Sequence, residues 1–509
     1  MLTTSYGAGL FGIDGFIVTV ECNSTRALPD FQIVGLPDAA VKESQQRVET
    51  AIYNSGIVAG DLSIKINLAP ADTKKEGSAL DLAIAVAILQ GKKVIPPLDL
   101  SDKMFIGELS FSGAVRTVRG VLSMVIAARD HGIKEVFVPA ENAKEAAVVE
   151  GVEVYPAESL SAVIAHLADR QKITPAEHAV YDAESSFIGA LDFADVKGQE
   201  AVKRALEIAS AGGHNVLMIG PPGSGKSMMA KRIPSILPPM TFSEAVETTR
   251  IHSATGMLKG GVSLVTERPF RSPHHNASAS ALIGGGSGKV TAGEVSLAHN
   301  GVLFLDELPE FHKDVTEALR QPMEDGRVTV TRSGGRLTFP SDFMLVAAMN
   351  PCKCGFYGSA ANKCTCRPAD IKKYVRKISG PLLDRIDIQV EVPALSFGEL
   401  SARRDAEPSS AIRERVCAAR RIAAERLKDD GIVCNAAMTT REIKKYCAID
   451  ERAESVLRTA FDTMGMSGRG YDRVLRVART IADLDGKENI DVRHVAEAVR
   501  LRSLDKKYF

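Results

Sequence analysis

The sequence lacks a long apolar run, a tryptophan and an excess of charge of either sign. Its longest strongly apolar stretch is about as long as LDLAIAVAIL, far short of the ~20 residues that a membrane-spanning helix needs. The opening segment MLTTSYGAGLFGIDG has neither the basic region nor the long apolar core of a signal peptide. We therefore expect a cytoplasmic protein without a membrane partner, in which thiols stay reduced.

Charge is balanced overall but unevenly distributed. The formal net charge is +0, so no global excess indicates a nucleic-acid partner. Residues 401–509 carry 23 Lys and Arg against 18 Asp and Glu, which only slightly favours a polyanion at that end. The composition, 45% hydrophobic and 25% charged, is that of an ordinary globular protein, and 509 residues predict roughly three domains.

Hydrophobic periodicity divides the chain into four parts. Residues 1–168 alternate β-rich runs with helical patterns, which predicts an α+β domain, and residues 169–187 lose periodicity like a linker. Residues 188–395 contain the runs NVLMIG, GVLFLDEL, DFMLVAAMN and IDIQVEV between helical patterns, which is typical of a parallel sheet. Residues 396–509 are helical. The predicted fold class is α/β, with a parallel-sheet core and a helical lid that follow the α+β domain.

The segment GPPGSGKS has the spacing of a phosphate-binding loop, G-x-x-x-x-G-K-[ST]. An apolar strand precedes it and a helical pattern follows, so a glycine-rich turn with a stray lysine is a poor alternative. Glycines let backbone N–H groups surround phosphates, Lys226 meets the β/γ charge and Ser227 can ligate Mg²⁺. The predicted nucleotide-binding residues are Gly220, Pro221, Pro222, Gly223, Ser224, Gly225, Lys226 and Ser227.

Polar residues also follow the next strand-like runs. Asp306, at the end of GVLFLDEL, suits a second Mg²⁺ ligand, and the adjacent Glu307 suits orientation of the attacking water. Asn350 ends the third run, where its side chain can reach the γ-phosphate; a turn-forming Asn before Pro351 is the structural alternative. Together with the phosphate loop, these residues predict ATP hydrolysis.

Arg385 lies just before the fourth strand-like run. An arginine finger must lie at a subunit edge to reach a neighbour's γ-phosphate. A structural ion pair with Asp384 or Asp387 explains the same residue, and both interpretations stay open.

The order of these motifs resembles that of AAA+ ATPases, with Walker A at 220–227, Walker B at 303–307, a sensor-1-like Asn350 and a finger-like Arg385. The resemblance implies that MSGRGYDRVLRVARTIADL carries the second sensor, best matched by Arg469 with Arg473 as the alternative. It also implies that the segment from Val196 to Gln199 cradles adenine.

Two insertions resemble the magnesium-chelatase-like branch of this family. One lies between the Walker motifs, and the other, GRVTVTRSGGRLTFP, has the alternation of a β-hairpin before the Asn350 strand. Across its whole length the chain resembles the bacterial YifB/ComM family, which implies a hexameric ring and DNA branch migration in recombination or natural transformation. Its expected DNA contacts are Lys289, Arg332 and Arg336.

A different kind of motor is the alternative. The chain could drive a metal chelatase or another protein-remodelling complex, but it lacks the D-x-S-x-S motif of a metal-adhesion domain. Exposed arginines on a hairpin also often serve only solubility.

The N-terminal part resembles the proteolytic domain of Lon-type proteases. Ser78 matches the nucleophile of that family, but Leu122 occupies the position of its lysine, and a leucine cannot accept a proton. Lys74 and Lys75 lie nearby in sequence, but the match gives neither of them that role. We expect an inactive scaffold of ribosomal-S5-like fold, with Ser78 as the N-cap of the following helix. An active protease is the minor alternative.

Half of the eight cysteines lie directly behind Asn350, spaced C-x-C-x₉-C-x-C. Two close thiolate pairs can surround a tetrahedral structural Zn²⁺, although C-x-C is tighter than the usual C-x₂-C. Four unrelated reduced cysteines are the alternative. The predicted ligands are Cys352, Cys354, Cys364 and Cys366. For His274, His275 and His299, loop or core roles are the default.

Overall fold

A computed structural model of the chain describes residues 1–26, 28, 30–57, 62–179, 181–182, 191–286, 290–332, 335–358, 363–398, 406–504 and 508. The chain forms two compact units: Met1–Asp182 with Thr241–Val265, and Ala183–Met240 with Thr266–Phe509. The segment 241–265, which the sequence analysis assigned to the ATPase core, thus groups with the N-terminal unit. The four domain boundaries stay predictions.

The elements follow one another in chain order. Before residue 182 they are β1 (Leu2–Phe11), β2 (Asp14–Arg26), β3 (Asp30–Val34), α1 (Ala39–Asn54), β4 (Leu62–Ala69), α2 (Asp81–Gly91), β5 (Lys103–Phe105), β6 (Glu108–Leu109), β7 (Val115–Arg116), α3 (Val121–Asp130), β8 (Glu135–Pro139), α4 (Ala143–Ala146), β9 (Glu153–Ala157) and α5 (Leu160–Leu167). Up to Asn350 they are α6 (Glu200–Gly212), β10 (Val216–Ile219), α7 (Lys226–Ala230), α8 (Ile233–Ile236), α9 (Phe242–Thr255), β11 (Phe270–Arg271), α10 (Ala279–Ile283), β12 (Gly284–Gly285), β13 (Thr291–Ala292), α11 (Glu294–Leu297), β14 (Val302–Leu305), α12 (Lys313–Ala318), α13 (Arg320–Asp325), β15 (Arg327–Arg332), β16 (Gly335–Pro340) and β17 (Met344–Met349). The remaining elements are α14 (Pro368–Val375), α15 (Gly380–Leu383), β18 (Ile388–Glu391), α16 (Ser409–Leu427), α17 (Thr440–Tyr446), α18 (Glu451–Met464), α19 (Gly468–Leu484) and α20 (Val492–Arg500).

The first unit is built on a seven-stranded mixed sheet in the order β3-β4-β2-β1-β5-β8-β9. Strands β1, β2 and β4 pair antiparallel, whereas β5, β8 and β9 run parallel to one another. Helix α2 is apolar on nearly every side and all of its residues except the last are buried, as expected for a helix enclosed in a core. Its one acidic residue, Asp81, is fully buried and accepts from Arg47 Nε at 2.6 Å.

Helix α9 joins the first unit through polar contacts as well as packing. Arg250 Nη2 donates to Asp14 Oδ1 at 2.5 Å, and Ser253 Oγ accepts from the backbone N–H of Gly120 at 2.9 Å. Ser253 also donates to the buried Glu145, which accepts further from the backbone N–H of Leu122 at 2.9 Å and from Asn142 Nδ2 at 3.2 Å. Burial raises the pKa of this glutamate, against the lowering effect of its hydrogen bonds.

The second unit contains a five-stranded parallel sheet in the order β11-β14-β17-β10-β18. Strands β10, β14 and β17 are buried at every position, which explains why they read as continuous apolar runs. Parallel pairing brings the carboxyl ends of these three strands to one edge, where ligands bind in open α/β sheets. The predicted α/β fold with a parallel-sheet core and many helices is confirmed.

The C-terminal helices share one core with this sheet. Buried side chains of α16, α19 and α20 belong to the same apolar cluster as those of β10, β17 and β18. His214 is fully buried and bridges the two parts, with Nδ1 at 3.1 Å from Asp387 Oδ2 and Nε2 at 2.8 Å from Thr480 Oγ1. Among all the residues that the structure describes, no helix is long and apolar enough to cross a bilayer.

Candidate nucleotide site and cysteine cluster

The loop after β10 has the backbone geometry that phosphate binding requires. Gly223 and Gly225 have φ values of 74° and 90°, in the left-handed region that favours glycine. A Cβ atom on Gly220 would lie 2.2 Å from the carbonyl oxygen of Val392, so only glycine fits there. The sequence spacing thus corresponds to real steric requirements.

Lys226 is held at this loop by three acceptors. Its Nζ donates to the carbonyl oxygens of Gly220 at 2.7 Å and Pro221 at 2.8 Å, and to Asn350 Oδ1 at 3.2 Å. Burial lowers the pKa of Lys226, while the nearby carboxylates of Asp306 and Glu307 oppose that shift. The contact with Asn350 joins the loop after β10 to the end of β17.

Ser227 and Asp306, the two predicted Mg²⁺ ligands, lie face to face. Ser227 Oγ donates to Asp306 Oδ2 at 2.6 Å. Hydroxyl and carboxylate oxygens are the ligands that Mg²⁺ prefers, so this donor pair fits the ion that the sequence implies. Glu307 follows in a left-handed conformation with φ 53°, which is uncommon for a non-glycine residue and frequent at functional sites.

These side chains surround one cavity of about 370 Å³. It is lined by Pro222, Gly223, Ser224, Gly225, Lys226, Ser227, Met228, Asp306, Glu307, Met349 and Asn350. Residues from three parallel strands therefore meet at one opening, with a cation on one side and two carboxylates on the other.

His275 is a residue of this site that the sequence analysis left without a role. Its Nδ1 lies 3.5 Å from Glu307 Oε2, and its ring lies 4.2 Å from that of His274. The position of His275 in the insert between the Walker motifs was the only sequence feature that could have indicated a role at this site. No short-range pattern links a histidine to a carboxylate 32 positions away.

Arg385 forms neither of the ion pairs that the sequence offered as alternatives. Its guanidinium donates to Glu324 and to the carbonyl oxygen of Pro381 at 2.7 Å, with 11% of the side chain exposed. Burial lowers the pKa of Arg385, and the positive charges of Arg320 and Arg469 lower it further. Three arginines therefore lie near one another, and none lines the cavity around Lys226.

The two candidate second sensors differ in environment. Arg473 is buried, with Nε at 3.4 Å from Asp387 and Nη1 at 3.7 Å from Asp384. Burial lowers the pKa of this arginine to about 10, partly offset by Asp387. Arg469 is exposed on the first turn of α19. The geometry thus gives Arg473 a structural ion pair and leaves the guanidinium of Arg469 accessible.

The two predicted adenine contacts, Val196 and Gln199, are buried, and neither lines the cavity. Val196 is 4% exposed, and Gln199 has φ 61° and donates through Nε2 to the carbonyl oxygen of Pro393 at 2.7 Å. Gln199 Oε1 is buried without a hydrogen-bond partner in the described structure. The adenine role of both residues stays a prediction.

Strands β15 and β16 form the predicted hairpin, paired antiparallel from Arg327↔Pro340 to Arg332↔Gly335. Arg336 is exposed on the returning strand. The tip residues 333–334, the Arg332 side chain and Lys289 lie outside the described residues. The expected DNA contacts of the three cations stay predictions.

The four clustered cysteines converge on one point. Their sulfur atoms all lie within 4.8 Å of one another, and the Sγ of Cys352 is 3.3 Å from that of Cys354 and 3.7 Å from that of Cys364. Disulfides need about 2.05 Å, whereas tetrahedral Zn²⁺ with bonds near 2.3 Å separates its sulfurs by about 3.8 Å. Backbone N–H groups of Phe356 and Thr365 lower the pKa of the Cys354 thiol, whereas burial and the neighbouring sulfurs raise the pKa values of Cys364 and Cys366. The cluster fits a zinc ion.

In the first unit, the predicted helix-capping role of Ser78 is wrong. Helix α2 begins at Asp81 with Leu80 at its N-cap and no side-chain capping bond, while the Ser78 hydroxyl donates to Glu108. The neighbouring carboxylate competes successfully for that hydroxyl. Leu122 is fully buried, and Lys75 is buried with its ammonium on the carbonyl oxygen of Pro70. The absence of peptidase activity stays a prediction.

Three family models match the chain: subunit ChlI of magnesium chelatase at residues 192–400, a further ChlI region at 20–142, and the ChlI C-terminal region at 406–502. The competence protein ComM of Haemophilus influenzae is 40% identical over 508 residues, which cover 99% of this chain and 98% of that protein. The chain belongs to the magnesium-chelatase-like YifB/ComM family.

Other similarities agree with this assignment. YifB of Escherichia coli is 40% identical over 501 residues, covering 97% of this chain and 96% of that protein. The magnesium-chelatase 67 kDa subunit of Chlorobaculum parvum is 32% identical over 164 residues, only 31% of this chain and 23% of that protein. The similarity to that chelatase subunit therefore covers only part of this chain. The YifB/ComM family is one of AAA+ ATPases, which implies ATP and Mg²⁺.

Proposed function

We propose that this chain forms a ring of six copies that hydrolyses ATP to move along DNA, in branch migration during recombination or natural transformation. The observation that carries the proposal is the convergence of Lys226, Ser227, Asp306, Glu307 and Asn350 on one cavity. Full-length similarity to a protein named for competence supports the biological setting. Members of the magnesium-chelatase AAA+ family form oligomeric rings, which supports a circular assembly.

In this mechanism, each residue at the cavity has one task. The loop N–H groups and Lys226 bind the β- and γ-phosphates, and Glu307 orients the attacking water. Ser227 and Asp306 would hold Mg²⁺, and the ion would supply positive charge beside the phosphates. Asn350 accepts from Lys226 and can redirect its amide toward the γ-phosphate or its water, which links occupancy of the site to β17.

The neighbouring subunit supplies the remaining positive charge. Arg385 and Arg469 lie apart from the cavity of their own chain, and their mutual repulsion, with that of Arg320, favours an anion between them. The γ-phosphate bound by an adjacent copy is such an anion. Arg385 must then exchange Glu324 for phosphate, so that hydrolysis depends on assembly.

The four cysteines hold a structural Zn²⁺ in this proposal. A Cys₄ site is closed, with no open position for a substrate, so its contribution is to fix the loop that follows Asn350. Elemental analysis of protein purified without chelators tests this, with one zinc per chain expected. A zinc content near zero contradicts it.

The decisive experiment compares ATPase rates without DNA and with single-stranded, duplex and branched DNA at low salt. We expect stimulation by DNA and ATP-dependent unwinding of a strand-exchange intermediate by the wild type. An ATPase rate that is independent of every DNA, with no unwinding, contradicts the proposal. That result favours the alternative motor of a chelatase or protein-remodelling complex.

A further inference from the structure

The cysteine cluster and the helix behind it carry an unusual concentration of positive charge. Between residues 352 and 377 there are seven Lys and Arg and a single acidic residue, Asp370, although the whole chain has a net charge of +0. Lys377 pairs with Glu310 at 3.0 Å. We call the other six cations the basic surface: Lys353, Lys363, Arg367, Lys372, Lys373 and Arg376. All six are exposed.

The six cations are close together in space because the sulfur cluster gathers their backbone. Lys353, Lys363 and Arg367 are each adjacent in sequence to a cysteine of the cluster, and those sulfurs lie within 4.8 Å of one another. Arg367 is also the N-cap of α14. The other three cations follow on this helix, which rises only about 1.5 Å per residue.

The three cationic side chains on α14 lie on its exposed face. Tyr374 and Val375 are buried in the core of the second unit, so the opposite face is exposed. Lys372 and Arg376 are four residues apart and Lys373 and Arg376 three apart, spacings at which like charges repel by roughly 0.2–0.5 kcal/mol per pair. Within the described residues none of the three has an ion-pair partner. Folding therefore does not account for this charge.

Another cation-rich helix of the same unit behaves differently. On α16, Arg415 binds Glu207 at 2.5 Å and Glu407 at 2.6 Å, and Arg426 binds the buried Asp483. These two arginines thus fasten α16 to α6 and to the lid helix α19. This contrast distinguishes a structural set of cations from one that is left open to solvent.

We propose that the basic surface binds the phosphate backbone of DNA. Evenly spaced phosphates are the polyanion that an exposed cluster of Lys and Arg fits, independently of sequence. A membrane surface fits less well, because a lipid-binding helix buries its apolar face in the bilayer, whereas Tyr374 and Val375 are enclosed in protein. The choice of DNA rests on the proposed function.

Two residues that lie among these cations in the sequence, Gly355 and Tyr374, connect this segment to the nucleotide site. Gly355, inside the cysteine loop, has φ 86°, and a Cβ atom there would lie 2.5 Å from Cδ of Pro222 in the phosphate loop. The backbone N–H of Asn350 lies near the Tyr374 hydroxyl of α14, where it lowers the pKa of that hydroxyl against the larger raising effect of burial. DNA bound at the basic surface would therefore press on both the phosphate loop and Asn350, and so would accelerate hydrolysis.

The test replaces three cations in Lys372→Glu/Lys373→Glu/Arg376→Glu. The control, Lys428→Glu/Lys444→Glu/Lys487→Glu, makes the same charge change at exposed lysines of the lid. DNA affinity of the assembled full-length protein is measured by fluorescence anisotropy, and thermal unfolding verifies the fold. We expect DNA binding at least about tenfold weaker than in the control, because the variant loses several contacts with DNA phosphates.

A neutral set, Lys372→Gln/Lys373→Gln/Arg376→Gln, separates direct contact from repulsion. Each lost contact should reduce the slope of log affinity against log salt by about 0.7 for single-stranded DNA. Equal affinity and equal slope for the triple variants and the control overturn the inference. Absence of DNA-stimulated hydrolysis in the wild type overturns the proposed function instead.

Tyr374→Phe tests the connection to the nucleotide site, because it removes only the hydroxyl. We expect DNA affinity to stay within about twofold of wild type while DNA stimulation of the ATPase falls several-fold, the loss of roughly one hydrogen bond. Full stimulation in this variant overturns the coupling route through Asn350.

Discussion

Each unit of this protein pairs a serine with a carboxylate, yet the two pairs have different surroundings. In the second unit, Ser227 meets Asp306 at the edge of a parallel sheet, beside a cavity of about 370 Å³. In the first unit, the Ser78 hydroxyl donates to Glu108. Three residues after Ser78 lies the fully buried Asp81, which accepts from Ser44 Oγ at 2.5 Å and from Arg47 Nε at 2.6 Å.

The difference shows what makes a polar cluster a site. Around Asp81, four donor contacts satisfy the carboxylate, and the cluster stabilises the core without leaving room for a ligand. Around Asp306, the carboxylate faces a cavity that also contains a buried cation, Lys226. Unfilled space between opposite charges, rather than polarity itself, distinguishes the candidate ATP site.

The largest effect that would test this comparison is expected for Glu307→Gln. Loss of the carboxylate that orients water should lower the ATPase rate by about 10²–10⁴-fold, while ATP still binds because the loop and Lys226 are intact. Single-turnover hydrolysis and fluorescent-nucleotide binding measure the two properties. Asp314→Asn, at an exposed carboxylate on α12, is the matched control and should retain full activity. Retained turnover in Glu307→Gln would remove this residue from its role.

Next in size is the effect of Arg47→Ala in the first unit. This change leaves Asp81 buried without its cation, which should lower the free energy of unfolding by roughly 3–5 kcal/mol. Denaturant unfolding followed by circular dichroism measures it. Glu43→Ala removes only an exposed partner 3.9 Å from Arg47 and should change stability by less than about 1 kcal/mol. Equal stability of both variants would show that the Asp81 cluster is not structural.

A smaller effect is expected for His275→Ala. Without the imidazole 3.5 Å from its carboxylate, Glu307 should be less well oriented, and kcat should fall by about tenfold, the worth of one hydrogen bond, with KM for ATP unchanged. His275→Gln, which keeps a hydrogen-bonding group, should restore part of the rate. His312→Ala, at a residue 83% exposed, is the control. A change in KM alone would indicate a binding role.

The smallest effect is expected for Ser78→Ala. Ser78 loses one hydrogen bond to Glu108, which should cost about 1 kcal/mol or less in unfolding free energy. The ATPase rate should not change, and digestion of casein by wild type and variant should be equally absent. Peptide cleavage by the wild type that Ser78→Ala abolishes would show that the first unit is an active protease.

The phosphate loop, the strand-end acids and the hairpin could be predicted because each depends on residues close in sequence. Gly223 and Gly225 need left-handed backbone, and β14 is an uninterrupted apolar run that ends in Asp306. The cysteine cluster was equally visible, since two C-x-C pairs are joined by one short loop.

Other expectations depended on partners that local pattern does not identify. Ser78 was expected to cap α2, but Glu108 lies 30 residues away in sequence and takes its hydroxyl. For Arg385, the sequence left open an arginine finger or an ion pair with Asp384 or Asp387. Glu324 is its partner instead, and Arg473 binds those aspartates. A partner that lies tens of residues away can replace a local one, and the sequence pattern does not identify it.

The sequence by itself determined the family, the parallel-sheet core and the residues that face phosphate, because glycine sterics and apolar periodicity act over a few residues. Only the tertiary structure decided that His275 meets Glu307, that α9 belongs to the first unit and that Gly355 and Tyr374 lie beside Pro222 and Asn350. Such contacts join residues far apart along the chain, and close packing of the folded elements selects them.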